Sequence, residues 1–516
     1  RYKPTFASGK FKYVTERRII MEYFVPAWHG QLIDWAFNVP RIEIYDEISN
    51  MRLLRKGDRK VGLVLTDYQP QYLTKLNQIA FYPDELFSVF DYLQDVNTHE
   101  SQTIDYLDLN WPQNIRFDFT PFKIMASVNN QLYANIIFDF NGKILNVEYF
   151  DENGQITKKL IFDTRGFISS VIIGDEEIYY DPMGHWRFKH NIKTDAVKIN
   201  PIFHFTNKQE YAHLNELVTE VMENQFLNKV TDDDHLIVTL DDQATVNLDV
   251  YKSYRTIFAL NQYYPYKGDL SKIDDHYLIV DNREIALKID PSVSYIVIPT
   301  FQAEFKLGHS QQLRKQIVGV FIEHTDYEDL KQIVFNLYPH LLNHATREEI
   351  SFLYYDNKKE NEINQVLAEL KKAHPNEFEL NRPQKDEVEN QFEDENKLPN
   401  LIIKSQRLSS IADAIKILDK IRLLISWNSN DPFIQTAAVS VGIPQLQNFE
   451  TLQLINHKNG LICKDMSELA AGTNYYLDDL GNWNQALMFN VQLMNAYSAE
   501  SMLKKWQTVL SDKKVL

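Results

Sequence analysis

Residues 430–444, Asn-Asp-Pro-Phe-Ile-Gln-Thr-Ala-Ala-Val-Ser-Val-Gly-Ile-Pro, could do chemistry at a helix start. Asn430 or Asp431 can cap the first turn, and Pro432 suits the first helical position because its missing N–H costs nothing there. Phe433, Ile434, Ala437, Ala438 and Val441 share one face at helical spacing. Gly442 fits the left-handed residue after the helix, and Pro444 stops any continuation. The free amides of such a helix start can hold a phosphate. A second candidate is Trp28-His29-Gly30, a loop after the apolar strand at 21–27, because loops at the C-terminal ends of parallel strands line ligand crevices. Trp28 could stack on a sugar ring there, and equally could pack between domains.

Other chemistries find no frame. There is no G-x-x-x-x-G-K-[ST] loop for an ATPase and no G-x-S-x-G elbow for an α/β-hydrolase. Asp232-Asp233-Asp234 and Asp241-Asp242 lack EF-hand spacing and read as turns. The fourteen histidines are read as offering neither H-x-x-x-H nor H-E-x-x-H spacing, so no metal is expected. The single cysteine, Cys463, excludes an intrachain disulfide and points to a reducing cytosol.

The elements that would position these residues are those of a large α/β chain. Its 516 residues suggest two or three domains. A net charge of -17 argues against non-specific nucleic-acid binding, and no apolar run approaches the roughly 18–20 residues of a membrane span. Residues 1–20 are basic against an acidic remainder, and are read as a non-native or disordered leader before a native start at Met21. A strand at 21–27, a helix at 41–55 with Ile42, Ile44, Tyr45, Ile48 and Leu53 as apolar positions, a strand at 61–66 and helices at about 70–80 and 84–95 begin an α/β domain. Between about 103 and 195 the style changes. Asn141-Gly142, Asn153-Gly154 and Arg165-Gly166 recur every twelve residues, with Met183-Gly184 later, and mark a hairpin meander over 132–190. The α/β pattern resumes with a long helix at 209–229 and strands at 236–240, 256–260, 277–280 and 295–298, and a second α/β domain starts near 300. The acidic run 386–395 is most simply a solvated loop. Trp483 and Trp506 anchor two closing helices at 483–497 and 499–510.

Several strings within this frame are specific when taken together. They are Met21-Glu22-Tyr23-Phe24-Val25-Pro26-Ala27-Trp28, Tyr68-Gln69-Pro70, Phe87-Ser88-Val89-Phe90-Asp91, Phe162-Asp163-Thr164-Arg165-Gly166-Phe167-Ile168-Ser169-Ser170 and Tyr180-Asp181-Pro182. The chain resembles the Asp-one family of accessory Sec system proteins, relatives of the GT-B glycosyltransferases that modify serine-rich adhesins. The resemblance runs from Met21 to the end and is densest over 21–200. It implies an α/β, GT-B-like fold of two Rossmann-like domains, with an antiparallel β-sheet domain inserted in the first. The expected division is 21–102 with 200–298, the insert at 103–199, and a C-terminal domain at 299–516. The resemblance also implies a cytoplasmic subunit, peripheral at the inner face of the cell membrane through its partners. Those partners are the other two Asp proteins, the accessory SecA motor and a glycosylated serine-rich repeat adhesin, with no nucleic acid and no cofactor.

Retaining GT-B enzymes bracket a segment ending A-x-G-x-P with a glutamate pair, E-x7-E. By resemblance the glutamates map to Ser429 and Ala437, while Gly442 and Pro444 remain. The diphosphate-binding Arg and Lys follow the first strand of the second domain. There this chain has Glu323 and Asp326, which would repel a diphosphate. Arg314 and Lys315 are the cations nearest in sequence that could substitute. A non-enzymatic protein is expected, holding glycan or polypeptide in a cleft of Trp28, His29, Gly30, Ser429, Asp431 and Gln435, with the sheet of residues 103–199 as a partner surface. The alternatives are an active GT-B glycosyltransferase modifying the adhesin and a purely structural scaffold.

Overall fold

The computed structural model describes residues 20–28 and 45–511, except 99, 121–122, 140, 263, 265, 274–275, 376 and 381–400. The expected leader up to residue 19, His29, Gly30, Ile42, Ile44 and the acidic run at 386–395 lie outside the described residues.

Short apolar runs build two parallel seven-stranded sheets. The first orders Ile296–Val297, Tyr277–Val280, Thr256–Leu260, His235–Thr239, Met21–Val25, Lys60–Leu65 and Glu85–Ser88. Numbered along the chain this is 7-6-5-4-1-2-3, the winding of a dinucleotide-binding domain with one extra edge strand. Every residue of His235–Thr239 is buried, as a strand covered on both faces must be. The expected helix at 84–95 is instead the strand Glu85–Ser88 followed by the helix Val89–Leu93. Parallel pairing of Val64 with Phe87 overrides the local helical spacing. The expected helix at 209–229 starts only at Leu214, because Glu210–Tyr211 first pairs as an edge strand with Val197–Ile199. The other parallel sheet orders Phe378–Leu380, Leu401–Arg407, Glu348–Tyr354, Gln316–Phe321, Ile421–Ser426, Gln445–Gln447 and Gly460–Ile462. Winding reverses beside the first strand of each sheet. One reversal lies between Met21–Val25 and His235–Thr239, the other between Gln316–Phe321 and Ile421–Ser426.

A ten-stranded antiparallel sheet enters between the third and fourth strands of the first sheet. It contains the six expected strands, here Gln131–Phe138, Ile144–Phe150, Ile156–Asp163, Phe167–Ile173, Glu176–Tyr180 and Trp186–Asn191. Ile115–Phe119, Lys123–Val128, Val197–Ile199 and Glu210–Tyr211 extend it at both ends. Four of its turns start at an Asp: the N–H of Gly142, Gly154, Gly166 or Gly184 returns to the carbonyl of Asp139, Asp151, Asp163 or Asp181 at 2.9–3.1 Å. The aspartate carboxylate takes the amide two residues on in all four turns, which rigidifies them.

The insert is bolted to its parent domain at Arg165. The guanidinium makes paired hydrogen bonds to Asp91 at 2.7 and 2.8 Å and to Asp163 at 2.7 Å, and lies over the Tyr72 ring. Thr164 N–H donates to Pro70 O at 3.0 Å, Gln71 Nε2 donates to Phe162 O at 2.5 Å, and Gln94 Nε2 donates to Ser169 O and Tyr180 O. Gly166 is required here, since it sits at φ +89° and a Cβ would meet Gln102 O at 2.2 Å.

The last helix, Ala499–Ser511, returns to the first sheet. Trp506 is fully buried, its ring centroid is 6.3 Å from that of Phe24, and its Nε1 donates to Asn50 Oδ1 at 3.3 Å. Trp483 Nε1 donates to Arg422 O at 2.9 Å. One apolar core therefore contains Phe24, Trp28 and Leu63 together with Phe321, Leu353, Leu424 and Ile434, with both closing-helix tryptophans in it. Among the described residues no helix is long and apolar enough to cross a membrane.

Candidate functional site

Ligands of wound parallel sheets lie beyond the C-terminal strand ends, where the winding reverses. At both reversal points side chains tie neighbouring loops together, and beside the second a cavity of about 380 Å³ opens among Asp329, Trp427, Asn428, Asn448 and Lys464.

At the first, Glu47 reaches up from the helix Tyr45–Lys56. Its carboxylate takes Thr239 Oγ1–H at 2.9 Å and Trp28 Nε1–H at 3.4 Å. Burial pushes its pKa up to about 7, against the hydrogen bonds that favour the charged form. Asp281, at the end of Tyr277–Val280, is also pushed up to about 7 by burial, and its charge adds to the rise at Glu47. Among the described residues, two cavities at these strand ends are about 30 and 20 Å³, whereas small-molecule sites run to about 300–1,000 Å³.

At the second, Thr325 Oγ1 donates to Trp427 O at 2.7 Å and His324 N–H donates to Ser429 Oγ at 3.0 Å. These bonds lace the loop after Gln316–Phe321 to the loop after Ile421–Ser426. Glu323 Oε2 takes the backbone N–H of Tyr355 at 2.6 Å and of Asp356 at 3.2 Å. Tyr355 Oη donates to Asp431 Oδ2 at 3.1 Å. Tyr355 thus holds both acids of the crevice. Burial raises the pKa of Glu323, and pushes that of Asp431 up to about 6. Two nearby cations are engaged by protein. Lys359 Nζ bonds Thr325 O and Glu362, and Arg407 Nε bonds Tyr355 O at 2.9 Å.

The capped helix is present as Pro432–Val441. Asp431 Oδ1 takes Ile434 N–H at 2.9 Å, and Gly442 is left-handed at φ +83°. A carboxylate of this chain thus already serves the amides of the first turn. Asp326, expected to face a phosphate, instead caps the helix Tyr327–Asn343 by taking Asp329 N–H at 2.8 Å. Lys315 cannot substitute for a missing phosphate ligand. It precedes Gln316–Phe321 and bonds Ala345 O, a strand's length of about 20 Å from the crevice.

Of the expected cleft residues, Ser429, Asp431 and Gln435 come together at this helix start, but each is no more than 2% exposed. They are internal ties and packing rather than an open lining. Both polar side-chain atoms of Gln435 are buried without a hydrogen bond. Trp28 is 2% exposed and belongs to the shared apolar core. Glu47, Thr239, Thr325 and Tyr355 are absent from the sequence-based candidates, because no local spacing marks them. One signal is legible in the sequence against the expectation above: His340 and His344 do stand at H-x-x-x-H spacing.

A family model described as accessory Sec system protein Asp-one matches residues 21–513. The accessory Sec system protein Asp-one of Streptococcus gordonii is 26% identical over 529 residues, covering 95% of this chain and 99% of its own. Among solved structures, the glycosylation associate protein (Gap123) complex from Streptococcus agalactiae matches at TM-score 0.75 and 23% identity, over 94% of this chain and 99% of that one. The pneumococcal O-GlcNAc transferase GtfA in complex with UDP and GlcNAc matches at TM-score 0.64 and 11% identity, over 96% and 99%. The structural likenesses show the fold, a GT-B-like arrangement of two Rossmann-like domains with an inserted antiparallel sheet.

Proposed function

The chain belongs to the accessory Sec system protein Asp-one family, and we propose accordingly that it is a non-catalytic export subunit in which the glycosyltransferase crevice has become a structural joint. It assembles with the other two Asp proteins and guides glycosylated serine-rich repeat adhesin to the accessory SecA motor from the cytoplasmic side. The observation that carries the non-catalytic reading is Tyr355 holding Glu323 and Asp431 together at the reversal point. A diphosphate there would meet two buried carboxyls, and would have to displace the bonds that tie these loops together. The likeness to a UDP-binding transferase favours the alternative, an active enzyme, only at the level of fold.

The proposed division is the parallel domain of 21–102 and 200–298, the insert of 103–199, and the domain of 299–516. The insert is the proposed docking surface for a sister subunit. Its support is a set of exposed apolar side chains, Phe119, Ile156, Ile173, Met183 and Ile192, on a sheet that ends in the edge strand Ile115–Phe119.

The test is calorimetric titration of the full chain, alone and in complex with its sister subunits, with UDP-sugars and separately with glycosylated adhesin repeats. Adhesin binding without UDP-sugar binding or turnover is expected. Tight UDP-sugar binding with sugar transfer would make the chain an enzyme and overturn the reading.

A further inference from the structure

The helix Tyr327–Asn343 is followed at once by His344, and the chain re-enters the sheet at Glu348, the first residue of Glu348–Tyr354. That short connection brings His340, His344 and Glu348 together, with one ligand atom of each within 4.8 Å of the others. His340 Nε2 lies 2.9 Å from Glu348 Oε2. His344 Nδ1 lies 2.9 Å from the His340 carbonyl, so Nδ1 carries the hydrogen and Nε2 keeps the lone pair a metal takes. Glu348 is fully buried, and its Oε1 makes no hydrogen bond, although Arg347 Nε stands 3.3 Å away. Arg347 thus pairs with Oε1 by charge without a hydrogen bond, which leaves that oxygen with lone pairs a metal could take.

We propose that His340, His344 and Glu348 bind a divalent transition metal of the zinc type. Two imidazoles four residues apart at one helix end and a carboxylate from the adjoining strand form the donor set that zinc, cobalt and nickel prefer over calcium or magnesium. His344 is only half-buried, which leaves a path for the ion and room for water as a further ligand. The site lies at the N-terminal end of Glu348–Tyr354, about 20 Å along the strand from the crevice at Tyr355. Its role is therefore structural. It pins the end of the helix Tyr327–Asn343 to the start of the strand, independently of the proposed export function.

The test is titration of the full chain with cobalt(II), read by its visible d–d absorption, and with zinc, read by calorimetry and thermal unfolding. One ion per chain and a rise in Tm are expected. His344→Ala leaves the His340–Glu348 contact in place, and should weaken binding at least tenfold without unfolding the protein. Glu348→Gln should also weaken it, with its fold checked by circular dichroism. Equal binding by the wild type and H344A would place the ion on other histidines and overturn the proposal. No binding at all would overturn it too, leaving a plain buried histidine–glutamate pair.

Discussion

Tyr355 reaches across the second reversal point to Asp431, its hydroxyl donating to Oδ2 at 3.1 Å. The same residue offers its backbone N–H to Glu323, so one tyrosine ties together the loops at this reversal point.

Removing that hydroxyl tests the tie. Tyr355→Phe strips one hydrogen bond from a buried carboxyl and should cost about 1.5–3 kcal/mol. Asp431 is pushed up to about 6 from 3.8, and the tyrosine opposes that rise. Stability tied to this group is fully present below about 3.8 and is lost as pH rises through about 6. The variant should therefore lose more at pH 8 than at pH 5, as measured by urea unfolding at both.

Glu47 gives a second pH signature. Its pKa is raised from 4.5 to about 7, so its contribution is present below about 4.5 and disappears as pH rises through about 7. Glu47→Gln removes the charge that must be desolvated. Its stability should flatten across that window and exceed the wild type at pH 8 by up to roughly 3 kcal/mol. Unchanged pH curves in the two proteins would show that Glu47 is not the group responsible.

The insert should depend on Arg165. Arg165→Ala leaves Asp91 and Asp163 facing each other without their cation, and should cost about 3–5 kcal/mol. Arg165→Lys should recover only part, because an ammonium cannot fork to two carboxylates. Native-state proteolysis should cut between insert and parent domain in the alanine variant before the domains themselves unfold.

The last helix should report on the pairing of the two parallel domains. Trp506→Ala opens a cavity beside Phe24 and should cost about 3–5 kcal/mol. Small-angle scattering should show a larger radius of gyration if Ala499–Ser511 detaches, and no change if the shared core holds without it.

The strings that carry the family resemblance have a physical meaning in the fold. Pro70, Asp91, Arg165, Ser169 and Tyr180 all make the joint between insert and first domain. Their significance is invisible in the sequence because the partners lie far apart: Arg165 and Asp91 are separated by 74 residues. The Asn-Gly signals mark hairpins, while the form of those turns follows from another residue. The turn is decided by the aspartate three residues before each glycine.

Features that depend on neighbours along the chain could be read from residue order. Apolar runs set the parallel strands, recurrent glycines set the meander, and Asp431, Pro432 and Gly442 set both ends of one helix within a residue. The ties at the two reversal points could not be read that way. Glu47 and Thr239 are 192 residues apart, His324 and Ser429 are 105 apart, and Tyr355 and Asp431 are 76 apart. Whether such pairs meet depends on strand order and register, which bring loop ends within hydrogen-bond reach over a few ångströms. No local propensity encodes that distance.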